Sequence, residues 1–411
     1  MTLDVLLVTV GALGVLVAAL SARIRRLPVS EPLLALVVGV LVGPEVLNAL
    51  PVPPITAENA AVHDATRILL VISVTGVALR YPFDAVRAQL RPVTILLLVA
   101  MPAMALISTG LAAGILGITW SAALLLGTAI CPTDPVLASS VVTGELAEKD
   151  LPARDRQILS LESGANDGLA LPLVLAAVAF AGAMTAERAA ANALWQVLGA
   201  VALGVLAGWL GGRALRAGEE HGATDHGPML FFTILLALLV LGLSGVLRLD
   251  GILAAFVAGL AFNLTSTGSE RTSEVEIDEA INRFGVLPMF ILLGATIPWT
   301  LWQAMGSAAI LLALAVLLFR RIPVLLLLKR PLHLGWPDAL YLGWFGPVGV
   351  AAVFYLTLEA KDLALPDSVM GAGIMIVVAS TVAHGVTSSV GRLLYRRLTT
   401  EPTTGQPTPR D

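Results

Sequence analysis

Apolar residues fill this chain in stretches of about 20, the length a helix needs to cross a bilayer. Polar residues, prolines and glycines punctuate them. Thirteen stretches can be marked: 3–20, 29–50, 65–80, 91–116, 119–143, 157–182, 191–212, 228–247, 250–264, 284–300, 306–328, 337–359 and 367–391. They predict an all-α polytopic membrane protein of about 13 transmembrane helices over residues 1–397. A polar, proline-rich, disordered cytoplasmic tail is predicted over 398–411.

Composition agrees with lipid as the solvent. Of 411 residues, 57% are hydrophobic and 13% charged, about half the charged fraction of a soluble domain; mean hydropathy is +0.88. The single cysteine, Cys131, excludes an internal disulfide framework and a cysteine-based zinc cluster. No P-loop pattern is present. No cofactor, nucleic-acid partner or ATP is expected.

Charge orients the spans. Cytoplasmic loops collect Lys and Arg. If the N-terminus lies outside, the odd-numbered connections and the tail carry 19 of the 25 basic residues, among them Arg23, Arg80, Lys149, Arg154, Arg213 and Lys329. The even connections carry three: Arg188, Arg248 and Lys361. One wrong span early in the chain would invert every later loop. The first stretch has its basic residues after the apolar run, so it reads as a span and not as a cleaved signal peptide.

Three polar intrusions stand out, because a charge at the bilayer centre costs about 2.5–3.5 kcal/mol or more and faces a cavity or a partner. They are Thr133-Asp134 in span 5, "SLESGANDG" at 160–168 in span 6, and "FRRIPV" at 319–324 in span 11. With a rise of about 1.5 Å per residue, Asp134 and Asp167 both lie roughly 15 Å from the inner surface. Glu162 and Arg320 lie shallower, at roughly 8 and 12 Å. Ser160, Ser163 and Asp167 share one helical face and Glu162 and Asn166 another, with Glu162 and Asp167 about 140° apart. One carboxylate of span 6 can therefore share a cavity with Asp134 while the other pairs with Arg320.

Pro132 and Pro135 break span 5 on either side of Asp134. Each frees a backbone carbonyl one turn earlier, and in lipid those carbonyls need partners. Carbonyls, hydroxyls and carboxylates together suit a hard monovalent metal ion, Na⁺ or K⁺, at Asp134 and Asp167. Span 12 repeats the theme with "GWFGPVGVAAVFYL", interrupted at Pro347, and it runs the opposite way through the membrane. Paired interrupted helices in inverted halves mark a transporter's binding site.

"TDPVLASSVV" followed about thirty residues later by "ESGANDG" closely resembles the monovalent cation:proton antiporter superfamily, in its NhaP-like sodium/proton exchanger branch. The hydrophobic pattern resembles that family over all but the tail. The resemblance implies thirteen helices in inverted repeats, with spans 5 and 12 unwound and crossed, and a core domain beside a dimerisation domain. It implies a homodimer in the cell (plasma) membrane. It implies an ion site of Asn166 and Asp167 with Asp134, Thr133 and Ser163, and a structural ion pair of Glu162 with a buried arginine, best matched by Arg320 and next by Arg321. Span 12 departs from many bacterial relatives, which carry "GPRG" where this chain has Gly346-Pro347-Val348-Gly349, a form that looks more like the fungal alkali-cation/proton antiporters. Some relatives also carry an acidic residue in the third span, and "RILLVISVTGVALR" has none.

The function these readings favour is secondary active antiport of Na⁺ (or K⁺, Li⁺) against H⁺ by alternating access, serving pH homeostasis. Two carboxylates in one desolvated site cannot both keep their charge, so they titrate as a coupled unit. Either protons or a cation neutralise them. An intramembrane aspartyl protease using Asp134 and Asp167 is a second reading, opposed by the missing Tyr-Asp and Gly-x-Gly-Asp motifs. A cation channel is a third, opposed by the lack of a filter segment. Elsewhere bland readings prevail: Asp250 as a helix N-cap, His384 as a hydrogen-bonded structural histidine, and the acidic run from Glu270 to Glu279 as a solvated helix face.

Overall fold

The computed structural model describes residues 2–20, 23, 29–55, 60–221, 229–264, 285–363 and 365–399. The acidic run at 270–279 and the tail beyond Thr399 lie outside these. Every element among the described residues is a helix. The principal ones are α1 (Thr2–Ala19), α2 (Glu31–Val42), α3 (Ala60–Leu79), α4 (Leu90–Leu116), α5 (Trp120–Ala129), α6 (Pro135–Val142), α7 (Ala153–Leu169), α8 (Leu171–Phe180) and α9 (Ala186–Glu220). They continue with α10 (Met229–Leu247), α11 (Gly251–Asn263), α12 (Leu287–Ala295), α13 (Trp299–Met305), α14 (Ser307–Phe319), α15 (Ile322–Leu328), α16 (Trp336–Trp344), α17 (Val350–Asp362) and α18 (Asp367–Thr399).

Each of the thirteen expected spans is met by a helix or a pair of helices. Six are long and apolar enough to cross a membrane as they stand: most of α3, α4, α7 with α8, α9, α14 with α15, and α18. The others are shorter apolar helices or broken pairs. Span 5 divides into α5 and α6, and span 12 into α16 and α17. Span 10 is more broken than its sequence suggested, because α12 and α13 meet at 58° around Ile297-Pro298. Proline also explains the distortion in α4, where a π-turn at Leu96–Ala100 precedes Pro102 and relieves the clash of its ring with the preceding turn. Helix α18 runs through Thr399, two residues into the expected tail.

The helices form two packed groups. Helix α11 is the centre of the first, held against α3, α9 and α10, while α2 packs along α12. The second group contains α4 to α8 and α14 to α18. Leu194, Trp195, Leu198, Leu206 and Trp209 on α9 face outward and are exposed, as lipid or a neighbouring apolar surface requires. The groups meet along α8 with α9, along α3 with α17, and along α7 with α11, where Gly164 and Gly168 press against Phe256 and Leu253.

Small residues set the closest approach of α2 to α12. A side chain at Gly39 would collide with the Ile291 carbonyl, and Gly43 faces the backbone of Ala295. Substituting Gly39→Ala should therefore force the helices apart and cost about 1–3 kcal/mol. Gly14→Ala, in open space on α1, should leave the melting temperature in detergent unchanged. Equal melting temperatures for both variants would contradict this packing.

Candidate functional site

Two unwound segments cross inside the second group. Residues 130–134 join α5 to α6, and residues 345–349 join α16 to α17. The chains touch directly, as the Asp134 amide donates to the Pro347 carbonyl at 2.9 Å. The crossing brings four helix ends together, two N-termini with free amides and two C-termini with free carbonyls.

Asp134 serves both N-termini. Its Oδ1 accepts from the amides of Val136 at 2.7 Å and Leu137 at 3.0 Å, capping α6. Its Oδ2 accepts from the Val350 amide at the start of α17. A carboxylate is acceptor-only when ionised, so it satisfies all three donors at once, and negative charge suits the positive ends of two helix dipoles. Gly349 makes the approach possible, since a Cβ there would overlap the Asp134 carboxylate.

Arg320 serves the two C-termini. Nη1 donates to the carbonyls of Ile130 at 2.5 Å and of Cys131 and Pro132 at 3.3 Å, and Nη2 to Gly346 at 2.6 Å. This corrects two expectations. The carbonyls of the unwound segment around Pro132 were expected to hold a metal cation, and a guanidinium occupies those of Ile130, Cys131 and Pro132. Arg320 was also expected to pair with Glu162. The structure gives that role to Arg321, whose Nη1 and Nη2 each reach a Glu162 oxygen at 2.6 Å while Nε donates to the Leu342 carbonyl at 2.9 Å. The break between α14 and α15 falls at these two arginines. It turns consecutive side chains to different partners at one depth.

The hydroxyl and amide groups expected at the site do assemble. Asn166 grips Thr133 twice, accepting from its amide at 3.1 Å and donating to its hydroxyl at 2.8 Å. The Thr133 hydroxyl also meets Ser163 Oγ at 2.9 Å. Ser160 is drawn away, to Arg80 and Tyr81 at 3.2 Å each. Asp167 is fully buried, and neither carboxylate oxygen has a hydrogen-bond partner among the described residues. Its carbonyl is held by the Tyr355 hydroxyl, which also reaches the Gly168 carbonyl at 3.3 Å.

Asp134 and Asp167 therefore differ, although the sequence reading paired them as equal ion ligands. Asp134 is committed to backbone amides, and Asp167 is open. That difference also removes the protease reading, since a catalytic dyad needs two carboxylates free to share a proton and face a substrate. Among the described residues no group of three or more His, Cys, Asp or Glu is placed to hold a metal. A cation at Asp167 would depend on neighbouring neutral oxygens. Tyr355 and Ser380, which accepts from the Val348 amide at 2.8 Å, escaped the sequence reading. Only their positions in apolar helices signalled them. Asp250 caps α11 through Oδ1, and His384 is bonded at both ring nitrogens, to the carbonyls of Ser380 at 2.7 Å and Trp344 at 2.8 Å.

Broken helices crossing at a buried polar site within packed apolar bundles are the architecture of secondary transporters. Residues 12–394 match the family described as "Sodium/hydrogen exchanger, transmembrane", and the chain belongs to that family. The "Na(+)/H(+) antiporter 2" of Zygosaccharomyces rouxii is 33% identical over 361 residues, covering 82% of this chain and 44% of that protein. The "Na(+)/H(+) antiporter" of Saccharomyces cerevisiae is 31% identical over 370 residues, covering 86% and 37%. The chain thus spans less than half the length of these yeast relatives. The sodium proton antiporter MjNhaP1 from Methanocaldococcus jannaschii, solved at pH 8, shares the fold with a TM-score of 0.77 at 17% identity, covering 97% of this chain and 99% of that one.

The arginine assignment is testable by thermal melting of purified variants. Breaking the buried Glu162–Arg321 pair from either side should cost about 3–5 kcal/mol, because one charge is left uncompensated. The double variant Glu162→Ala/Arg321→Ala should fall well short of the sum of the singles. Glu162→Ala with Arg320→Ala should be nearly additive. Coupling that appears with Arg320 in place of Arg321 would overturn the assignment.

Proposed function

We propose that the protein is a secondary active antiporter that exchanges Na⁺ (or K⁺ or Li⁺) for H⁺ by alternating access. The observation that carries this reading is Asp167, a fully buried carboxylate with both oxygens free of hydrogen bonds, next to the Thr133, Ser163 and Asn166 cluster. An uncompensated carboxylate in a desolvated site is neutralised by a proton or by a cation. Occupancy by one excludes the other. Family membership and the names of the yeast relatives support the same exchange.

In this mechanism Asp167 is the exchanging group. Thr133, Ser163 and Asn166 supply neutral oxygens that replace part of the cation's hydration shell. Asp134 holds the crossed backbone in place and adds negative potential. Carriage across the membrane follows from movement of one helix group against the other, along the glycine-lined contact of α7 with α11. We place the N-terminus outside, with residues 1–397 as the transmembrane antiporter domain and the C-terminus in the cytoplasm. The working unit we propose is a homodimer in the plasma membrane, joined through the exposed apolar face of α9.

Transport by the purified protein in liposomes, with cation titrated at several pH values, tests the reading. Asp167→Asn should insert normally and abolish exchange. In the wild type, protons compete for the cation's carboxylate. Lowering pH through its titration range should raise the cation KM, by about tenfold per unit for one competing proton, and leave the rate at saturating cation unchanged. A KM that stays flat across the pH range, or near-normal exchange by Asp167→Asn, would contradict it.

A further inference from the structure

Besides Asp134, Glu162 and Asp167, another intramembrane carboxylate has no part in the mechanism above. Glu359 lies on α17, the helix whose first amide binds Asp134 and whose Tyr355 holds the Asp167 carbonyl. Tyr355 and Glu359 are four residues apart and so share a helix face. Glu359 is fully buried. Its Oε1 has a long contact of 3.5 Å with the Thr128 hydroxyl, which is already committed to the Leu124 and Leu125 carbonyls at 2.9 and 3.1 Å. Its Oε2 has no hydrogen-bond partner among the described residues.

Among the described residues no basic side chain is paired with Glu359. Helix α17 packs against α3, α5, α8 and α18. Helix α3 brings His63, which is bonded to Thr357 at 2.9 Å, together with Asp64 and Arg67. Helix α5 brings Thr128 and, just past its end, the buried thiol of Cys131, whose backbone carbonyl accepts from Arg320, a cation already bound to four carbonyls. Helix α8 has no titratable residue. Helix α18 brings Asp367 at its start and His384, the latter already bonded at both nitrogens. No ion pair joins Glu359 to a Lys or Arg among the described residues. An ionised carboxylate so placed carries a large desolvation cost, whereas a carboxyl holding a proton does not.

Next to Glu359 in the chain a cavity opens. Leu358 lines this cavity of about 280 Å³, which also touches Leu171, Met184, Arg188, Asn192 and Gln196. Arg188 lies in the first turn of α9, at the end that the loop charges place away from the cytoplasm. Tyr355 holds the Asp167 carbonyl, Glu359 lies one turn further along the same helix, and Leu358 beside it lines the cavity.

We propose that Glu359, one helical turn beyond Tyr355 and next in the chain to a cavity-lining residue, is a second proton-binding side chain through which the site exchanges protons with the outside. The inference rests on the antiport reading. A proton leaves the Glu359 carboxyl as one binds the Asp167 carboxylate, and Glu359 takes its replacement from external water. The opposite sequence releases a proton outward.

Right-side-out and everted vesicles, with pH set independently on each face, test this. Glu359→Gln should lower maximal exchange by about tenfold or more and flatten its dependence on external pH. The dependence on cytoplasmic pH and the cation KM should persist. Glu359→Asp, which keeps a carboxyl, should restore the external dependence. A normal external pH profile in Glu359→Gln overturns the inference while leaving the antiporter intact. A wild type that exchanges no cation for protons in the same vesicles overturns the antiport reading and this inference with it. If Glu359→Gln fails to insert, the wild type carries the test through carbodiimide labelling, which attacks protonated carboxyls in apolar surroundings. The Glu359 peptide should be modified, and less so as external pH rises; no modification at any pH overturns the inference.

Discussion

The crossing of two broken helices in the middle of a membrane protein is the constraint on which the rest of this structure depends. Lipid supplies no hydrogen bonds, so four helix ends brought together there must be satisfied by protein. Two ionised side chains suffice. Asp134 gathers amides from two helix starts, and Arg320 gathers carbonyls from two helix ends. Each side chain opposes two helix dipoles at once, and the pairing follows the sign of those dipoles. The prolines 132, 135 and 347 create the free backbone groups, and Gly349 gives Asp134 room to reach across.

With the crossing satisfied internally, the charges around it divide their roles. Glu162 and Arg321 neutralise each other in a bidentate pair and tie α7 to the break between α14 and α15. Asn166 fixes Thr133 through two hydrogen bonds. What remains unsatisfied is Asp167, one residue away from that clasp. An open carboxylate beside rigid partners is suited to exchange, because its own state can change while the scaffold's hydrogen bonds stay intact. Glu359 extends the principle outward along α17.

The apolar pattern and the loop charges made the helices legible, and the two interrupted spans were visible from their prolines and glycines. Thr133, Ser163 and Asn166 could be grouped only from the family motifs, because ideal helix geometry put Ser163 and Asn166 on different faces. The partner of Glu162 could not be fixed that way. Arg320 and Arg321 are adjacent and equally deep, and a helix break at that point cancels the azimuth that an ideal helix would predict. The fate of the freed carbonyls was equally hidden, because a cation and a guanidinium satisfy the same oxygens. Asp134 looked like an ion ligand since its depth equals that of Asp167. Its commitment to Val350 depends on a contact 216 residues away in sequence, which no local pattern encodes.

The central claim is that one carboxylate, Asp167, holds either a proton or a cation. Cation binding to the purified protein, followed by calorimetry in buffers of different ionisation enthalpy at a single pH, measures it most directly, since the heat then reports protons released per cation bound. The account predicts that Na⁺ binding displaces protons from the wild type, with the number released falling as pH rises, and that Asp167→Asn shows neither binding nor release. Cation binding with no proton release at any pH would contradict it.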